Sequence, residues 1–221
     1  MSLSINPATL VPQYPVILPL TSRDIGLADA GNYYTTTTAA PATGIIGFAT
    51  TTTFLIGEAN PYLYLYNPGP ATVYPALLKL QLTVVPTASA FMRFEHTIEQ
   101  GNKQTTIATA LTPSNLNPSS QFKSQALISV GANVCNAAGA TRHLLGNALF
   151  RNSIGVVNDT YHFNFGQTAV EPVGIVATYM NLSLPLAQPV IPPGFCWSVI
   201  FWATSTSAGP TFEVDFSYFE K

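Results

Sequence analysis

From residue 44 to the C-terminus the chain is cut into short apolar or alternating runs, most of them stopped by proline or glycine before a helix of ordinary length can form. The last run is the clearest. Phe212, Val214, Phe216 and Tyr218 alternate with Glu213, Asp215 and Ser217, the period-two pattern of a strand with one wet face. The run from Phe195 to Trp202 is apolar on both faces, which suits a central strand covered from both sides. Tyr62-Leu63-Tyr64-Leu65-Tyr66 is a compact strand closed by the turn cluster Asn67-Pro68-Gly69-Pro70. Leu77 to Val85 stops at Pro86, and Phe91 to Ile98 ends before Gly101-Asn102. Ala126 to Val134, Tyr161 to Phe165 and Gly174 to Leu184 supply further strands. Thr141 to Phe150 reads as a short turn of helix, weakened by Gly146. This many short strands predicts an all-β fold, an antiparallel β-sandwich wound like a jelly roll. An immunoglobulin-like sandwich is the alternative, without the Cys-Trp-Cys order it requires. The core is expected to hold Leu63 or Leu65, Leu80, Phe94, Ile128, Phe163, Val199, Phe201, Val214 and Phe216.

Residues 1–43 differ from the sandwich domain expected over 44–221. Pro7, Pro12, Pro15 and Pro19 remove backbone donors and push the residues before them toward extended conformations. The stretch reads as an extended Pro/Thr-rich arm with Leu10, Val16, Ile17, Leu18 and Leu20 as hydrophobic anchors. Five aliphatics on an isolated arm are poorly placed in water. The arm therefore packs along its own domain or docks on a partner, and partner binding is the expectation. Two threonine tetrads follow, Thr35 to Thr38 and Thr50 to Thr53, and read as neutral strand or loop coverage.

Charge narrows the partners. The chain has eight Lys and Arg and ten Asp and Glu in 221 residues, a net charge of −2 and 8 % charged residues. Soluble domains carry about 25 %, so neutral polar groups or other protein must cover this surface. Disorder is a poor explanation, because it combines low hydrophobicity with high net charge. Arg23, Lys79, Arg93, Lys103, Lys123, Arg142, Arg151 and Lys221 are scattered, whereas phosphate binding needs them clustered; no nucleic acid is expected. No run approaches the ~20 apolar residues of a membrane helix, and no targeting segment is legible. Cys135 and Cys196 read as separate buried thiols rather than a disulfide framework. Asn158-Asp159-Thr160 and Asn181-Leu182-Ser183 match the glycosylation pattern but read as ordinary loop or strand residues.

Catalytic raw material is thin. Glu95, His96 and Glu99 form the most suggestive group, since a His with carboxylates can bind metal or move protons. On a strand, however, Glu95 and His96 point to opposite faces, and the group reads as a charged strand end that aids solubility. Asp159 and His162 fit a turn followed by a strand, and His143 has no acidic neighbour in sequence. No metalloprotease, nucleophile-elbow, phosphate-loop or calcium-loop motif occurs. The expectation is a non-enzyme with no cofactor and no metal site. Tyr33-Tyr34 and Tyr62 to Tyr66 are the only aromatic clusters that could form a sugar-binding platform, and core or subunit contact is the reading preferred for them.

Gly101-Asn102-Lys103, Leu111-Thr112-Pro113-Ser114-Asn115-Leu116-Asn117, Val190-Ile191-Pro192-Pro193-Gly194, the strand to Trp202, Ser205-Thr206-Ser207-Ala208-Gly209-Pro210 and the final run to Glu220 share one strand-and-turn texture. Over residues 44–221 this resembles the auxiliary capsid proteins of tailed bacteriophages, the decoration or cement type. The resemblance implies a non-enzymatic jelly roll, often trimeric, that binds a major capsid protein on the virion exterior after assembly in the host cytoplasm. A head or tail fibre that recognises a host glycan, or a jelly-roll capsid subunit proper, are the alternatives. The lack of a basic N-terminal segment speaks against a subunit that neutralises genome.

Overall fold

A computed structural model describes residues 23–38, 45–46, 48–50, 60–85, 92–136, 142–151, 155–166, 174–176, 179–204 and 210–221. Among the described residues a short helix, α1 (Arg23–Asp29), precedes β1 (Tyr33–Thr37), β2 (Ile45–Ile46), β3 (Phe48–Thr50), β4 (Leu63–Tyr66), β5 (Val73–Val84) and β6 (Met92–Gln100). Then come β7 (Gln104–Thr106), β8 (Thr109–Leu111), β9 (Ser114–Asn115), β10 (Leu127–Val130), β11 (Val134–Cys135) and β12 (His143–Arg151). The chain closes with β13 (Thr160–Phe165), β14 (Gly174–Val176), β15 (Tyr179–Leu186), β16 (Phe195–Thr204) and β17 (Thr211–Glu220).

These strands form two large sheets. The first runs β14-β15-β13-β5-β17-β1-β9, and the second β12-β6-β16-β4-β10-β8. In chain order, β1, β4, β5 and β6 alternate between the first and second sheets; β12 stays in the second, and β13, β16 and β17 alternate again. The resulting blocks, β13-β5-β17-β1 facing β12-β6-β16-β4, are the strand order of a jelly roll. The all-β sandwich expected from sequence is thus the one observed. One pair departs from antiparallel order at each sheet: β15 runs parallel to β13, and β3 parallel to β16.

Every residue expected in the core is there, at 4 % exposure or less. Alternation explains it: the inner positions of β17 and β5 meet those of β6 and β16. Phe94 stacks on Phe163 across the sandwich at 4.6 Å, and Trp197 stacks on Phe216 at 5.7 Å. Tyr62 meets Phe201 and Phe212 edge-on at 5.5 and 6.0 Å. Offset and edge-on arrangements suit the ring quadrupoles, and each buried Phe contributes about 1.5–3 kcal/mol through apolar area alone.

Three expectations change. The sheet begins before residue 44, because β1 pairs with β17 from Tyr33↔Phe219 to Thr37↔Asp215. Within the stretch expected to be extended, Arg23–Asp29 is helical, and Leu27 and Ala28 pack against Tyr33, Ala76 and Phe219. The turn of helix expected over 141–150 is the strand β12, paired with β6 through two register shifts. Gly146 lies opposite His96 there, and a Cβ at that position would stand 3.1 Å from His96 Nε2. The glycine that weakened a helix is what lets the strand approach. Of the threonine tetrads, Thr36 and Thr38 are buried, Thr35 is half-buried and Thr37 exposed; Thr51 to Thr53 lie outside the described residues.

Candidate functional site

Along its central strands β4, β6 and β16 the second sheet is buried on both faces. Its inner face carries Leu63, Leu65, Phe94, Trp197, Val199 and Phe201. Its outer face carries Tyr64, Thr97, Glu99, Cys196 and Ser198, all 4 % exposed or less. The excursion between β6 and β12 supplies cover for this face: β7 and β11 pair with each other, and Cys135 packs on Tyr64 and Cys196. The Tyr64 hydroxyl donates to Asn102 Oδ1 at 2.9 Å and accepts the Lys103 backbone N–H at 2.7 Å. Asn133, fully buried, donates to the carbonyls of Pro61, Tyr62 and Ser129, and its Oδ1 accepts from Gln104 Nε2 and the Ala108 N–H. The cover is therefore fixed to the sheet by polar groups that each have a partner, as buried polar groups require.

Glu99 receives the Arg142 Nε–H at 2.9 Å on one oxygen and stands 3.3 Å from Lys103 Nζ on the other. The Arg142 side chain is 6 % exposed and that of Glu99 2 %. Glu95 and His96 are buried as well, so the group expected to form a solvated strand end lies wholly inside. Arg142 and Lys103 enclose Glu99 on the outer face, the sandwich core encloses His96, and no strand pattern announces either. Glu95 and His96 do lie on opposite faces. His96 points into the core, against Phe94, Phe165 and Trp197, and its Nδ1 accepts the Trp197 indole N–H at 3.2 Å. Burial lowers its pKa to about 4, so this ring is a neutral acceptor at physiological pH.

The other candidates separate. Asp159 is buried and accepts the Val156 N–H at 2.8 Å and the Tyr161 hydroxyl at 3.0 Å. His162, paired in register with Lys79, lies on the opposite face of β13 and half-exposed. Asn158 sits in the turn at φ 79°, a left-handed conformation that asparagine tolerates. His143 is exposed on β12. The thiols of Cys135 and Cys196 are unbridged and buried, sharing Tyr64 as a neighbour. Burial pushes the Cys135 thiol up to about 12, and burial raises Cys196 as well. Leu10, Val16, Ile17, Leu18 and Leu20 lie outside the described residues. Among the described residues, no three His, Cys, Asp or Glu side chains come together to hold a metal ion, and no helix is long and apolar enough to cross a membrane.

Beside the cover, at the β8–β10 end of the second sheet, lies an open cleft of about 360 Å³. Tyr66, Gln104, Ile107, Gln125, Leu127 and Ser129 give it its character, and no charged residue lines it. Gln104 Nε2 donates to Ser129 Oγ at 2.7 Å, which fixes the amide over the cleft floor. Below it, Ser124 Oγ donates to Glu220 at 2.6 Å and accepts the Tyr218 hydroxyl at 2.5 Å, tying the rim to the C-terminal strand. Of these residues the sequence singled out only Tyr66, within its aromatic strand. The others come from separate segments, with no motif spacing to connect them.

The strand order defines a jelly-roll sandwich with an uncharged cleft at one end of its second sheet. No known protein family, curated protein or solved structure matches this chain.

Proposed function

We propose that this chain is a non-enzymatic structural component of a virus particle, a decoration protein that seats on the outside of a capsid lattice by binding the major capsid protein. The observation that supports it is a jelly-roll wind in a chain with only 8 % charged residues. Jelly rolls recur in viral capsid and lectin domains, so the argument is one of fold analogy. Exposed Ile107, Phe122, Leu127, Leu144 and Leu145 add apolar surface for protein contact. The arm residues Leu10, Val16, Ile17, Leu18 and Leu20 are proposed as the anchor. A closed homo-oligomer, a trimer by the bacteriophage resemblance, would cover further neutral surface.

The test is co-sedimentation of the purified chain with shells of its own virus that lack it. Saturable occupancy, together with light scattering above the monomer mass, is the expected result. A monomer that never sediments with shells overturns the proposal. Deleting residues 1–20 then isolates the arm: full occupancy by a truncated chain that still folds and oligomerises removes the arm as anchor. The same wind favours a second reading, a capsid subunit proper. Closed shells assembled from this chain alone would establish that reading instead.

A further inference from the structure

We infer that the uncharged cleft beside β8 and β10 binds a neutral saccharide. Its volume of about 360 Å³ falls at the lower end of ligand clefts, about 300–1,000 Å³, the scale of a small sugar unit. With no charged side chain in its lining, a charged ligand would give up hydration and gain no counter-charge. Anionic sugars, phosphates and cations are thereby disfavoured.

The floor disfavours a purely apolar ligand as well. Ser129 is 2 % exposed and its Oγ accepts from Gln104 Nε2 at 2.7 Å. Its own O–H donates to no described residue. Gln104 spends its amide N–H groups on Ser129 and Asn133, while its Oε1 accepts from no described residue. Among the described residues, Ser129 thus keeps one donor and Gln104 one acceptor, and both residues line the cleft. Vicinal hydroxyls on a pyranose ring each donate and accept, and so match that pair.

The walls supply the other half of a sugar's chemistry. Ile107 and Leu127 are 62 % and 57 % exposed, and Tyr66 is half-buried with a hydroxyl that bonds no described residue. Aliphatic and aromatic surface facing a polar floor suits a ring with an apolar C–H face and a hydroxyl edge. The exposed side-chain amide of Gln125 reaches the rim. This inference is independent of the virion proposal, and its test uses no capsid.

The test is saturation-transfer NMR and calorimetric titration of the full chain. The probes are the methyl glycosides of glucose, galactose, mannose and N-acetylglucosamine, with lactose and maltose, each at up to about 10 mM, well above a weak single-site Kd of about 1 mM. Saturable binding of at least one probe is expected. Ile107→Ser and Gln125→Ala, both at exposed positions, should weaken it about tenfold, the loss of roughly one contact or hydrogen bond. Leu145→Ser, exposed on β12, should bind as the parent chain does. The inference is overturned if no probe in the panel binds, or if both cleft variants bind as the parent does.

Discussion

The Tyr64 hydroxyl donates to Asn102 Oδ1 at 2.9 Å, joining β4 to a turn that follows it by 38 residues. The same oxygen accepts the Lys103 N–H, so one buried phenol ties the 102–103 turn of the cover to the second sheet. Tyr64→Phe keeps the ring and its packing on Cys135 and Cys196 but leaves the Lys103 N–H without its acceptor. The expected loss is about 1–3 kcal/mol in urea unfolding, with faster hydrogen exchange at Lys103. Unchanged exchange there would mean the cover is held elsewhere.

The second prediction concerns Glu99, which faces Arg142 and Lys103. Glu99→Gln leaves the Arg142 guanidinium covered without its carboxylate, and breaking a buried pair from one side costs about 3–5 kcal/mol. Glu99→Met with Arg142→Met removes both charges at similar volume, and its stability should lie closer to the parent than that of the single variant. A double variant less stable than the single would show that the pair is a net stabiliser.

His96 gives the fold a pH dependence with a definite sign. Its folded pKa is lowered to about 4 by burial, against about 6.5 in the unfolded chain. Between those values the unfolded state binds the extra proton, so stability rises with pH there. The contribution is complete above about pH 6.5 and is lost as pH falls toward 4, on the order of 3 kcal/mol in all. His96→Gln, which can still accept from Trp197, should flatten the dependence between pH 4.5 and 6.5. A parent chain whose unfolding midpoint is constant over that window would contradict the burial argument.

The two cysteines should be inert in the folded protein. Both are buried and unbridged, and burial holds the Cys135 thiol near 12, far from its thiolate. The thiolate is the reactive form. Ellman's reagent at pH 8 should therefore label neither thiol in the native chain and both in denaturant. Rapid native labelling at either position would show that the β7–β11 cover opens readily.

Legibility in the sequence followed what a local period can carry. The alternation in Thr211–Glu220 specified which side chains of β17 face inward, and Phe212, Val214, Phe216 and Tyr218 are all fully buried. The run from Phe195 announced a central strand because both its faces are apolar, and β16 lies between β6 and β4. At Glu95 to Glu99 the same period separated the faces correctly but not their environments. A period says which residues share a face; it does not say what lies across from that face.

The chain by itself determined an all-β sandwich, its core aromatics and its scarcity of charge, because strand periodicity, turn residues and composition are local properties. Only the tertiary structure decided that Glu99 meets Arg142 43 residues away, that Tyr64 shares a cluster with Cys135 and Cys196, and that Tyr66, Gln104, Gln125 and Ser129 line one cleft. Those meetings depend on the jelly-roll wind and on an excursion that folds back over its own sheet. The physical reason is that contacts between distant segments are set by the register and crossing of strands, and no stretch of sequence encodes that crossing alone.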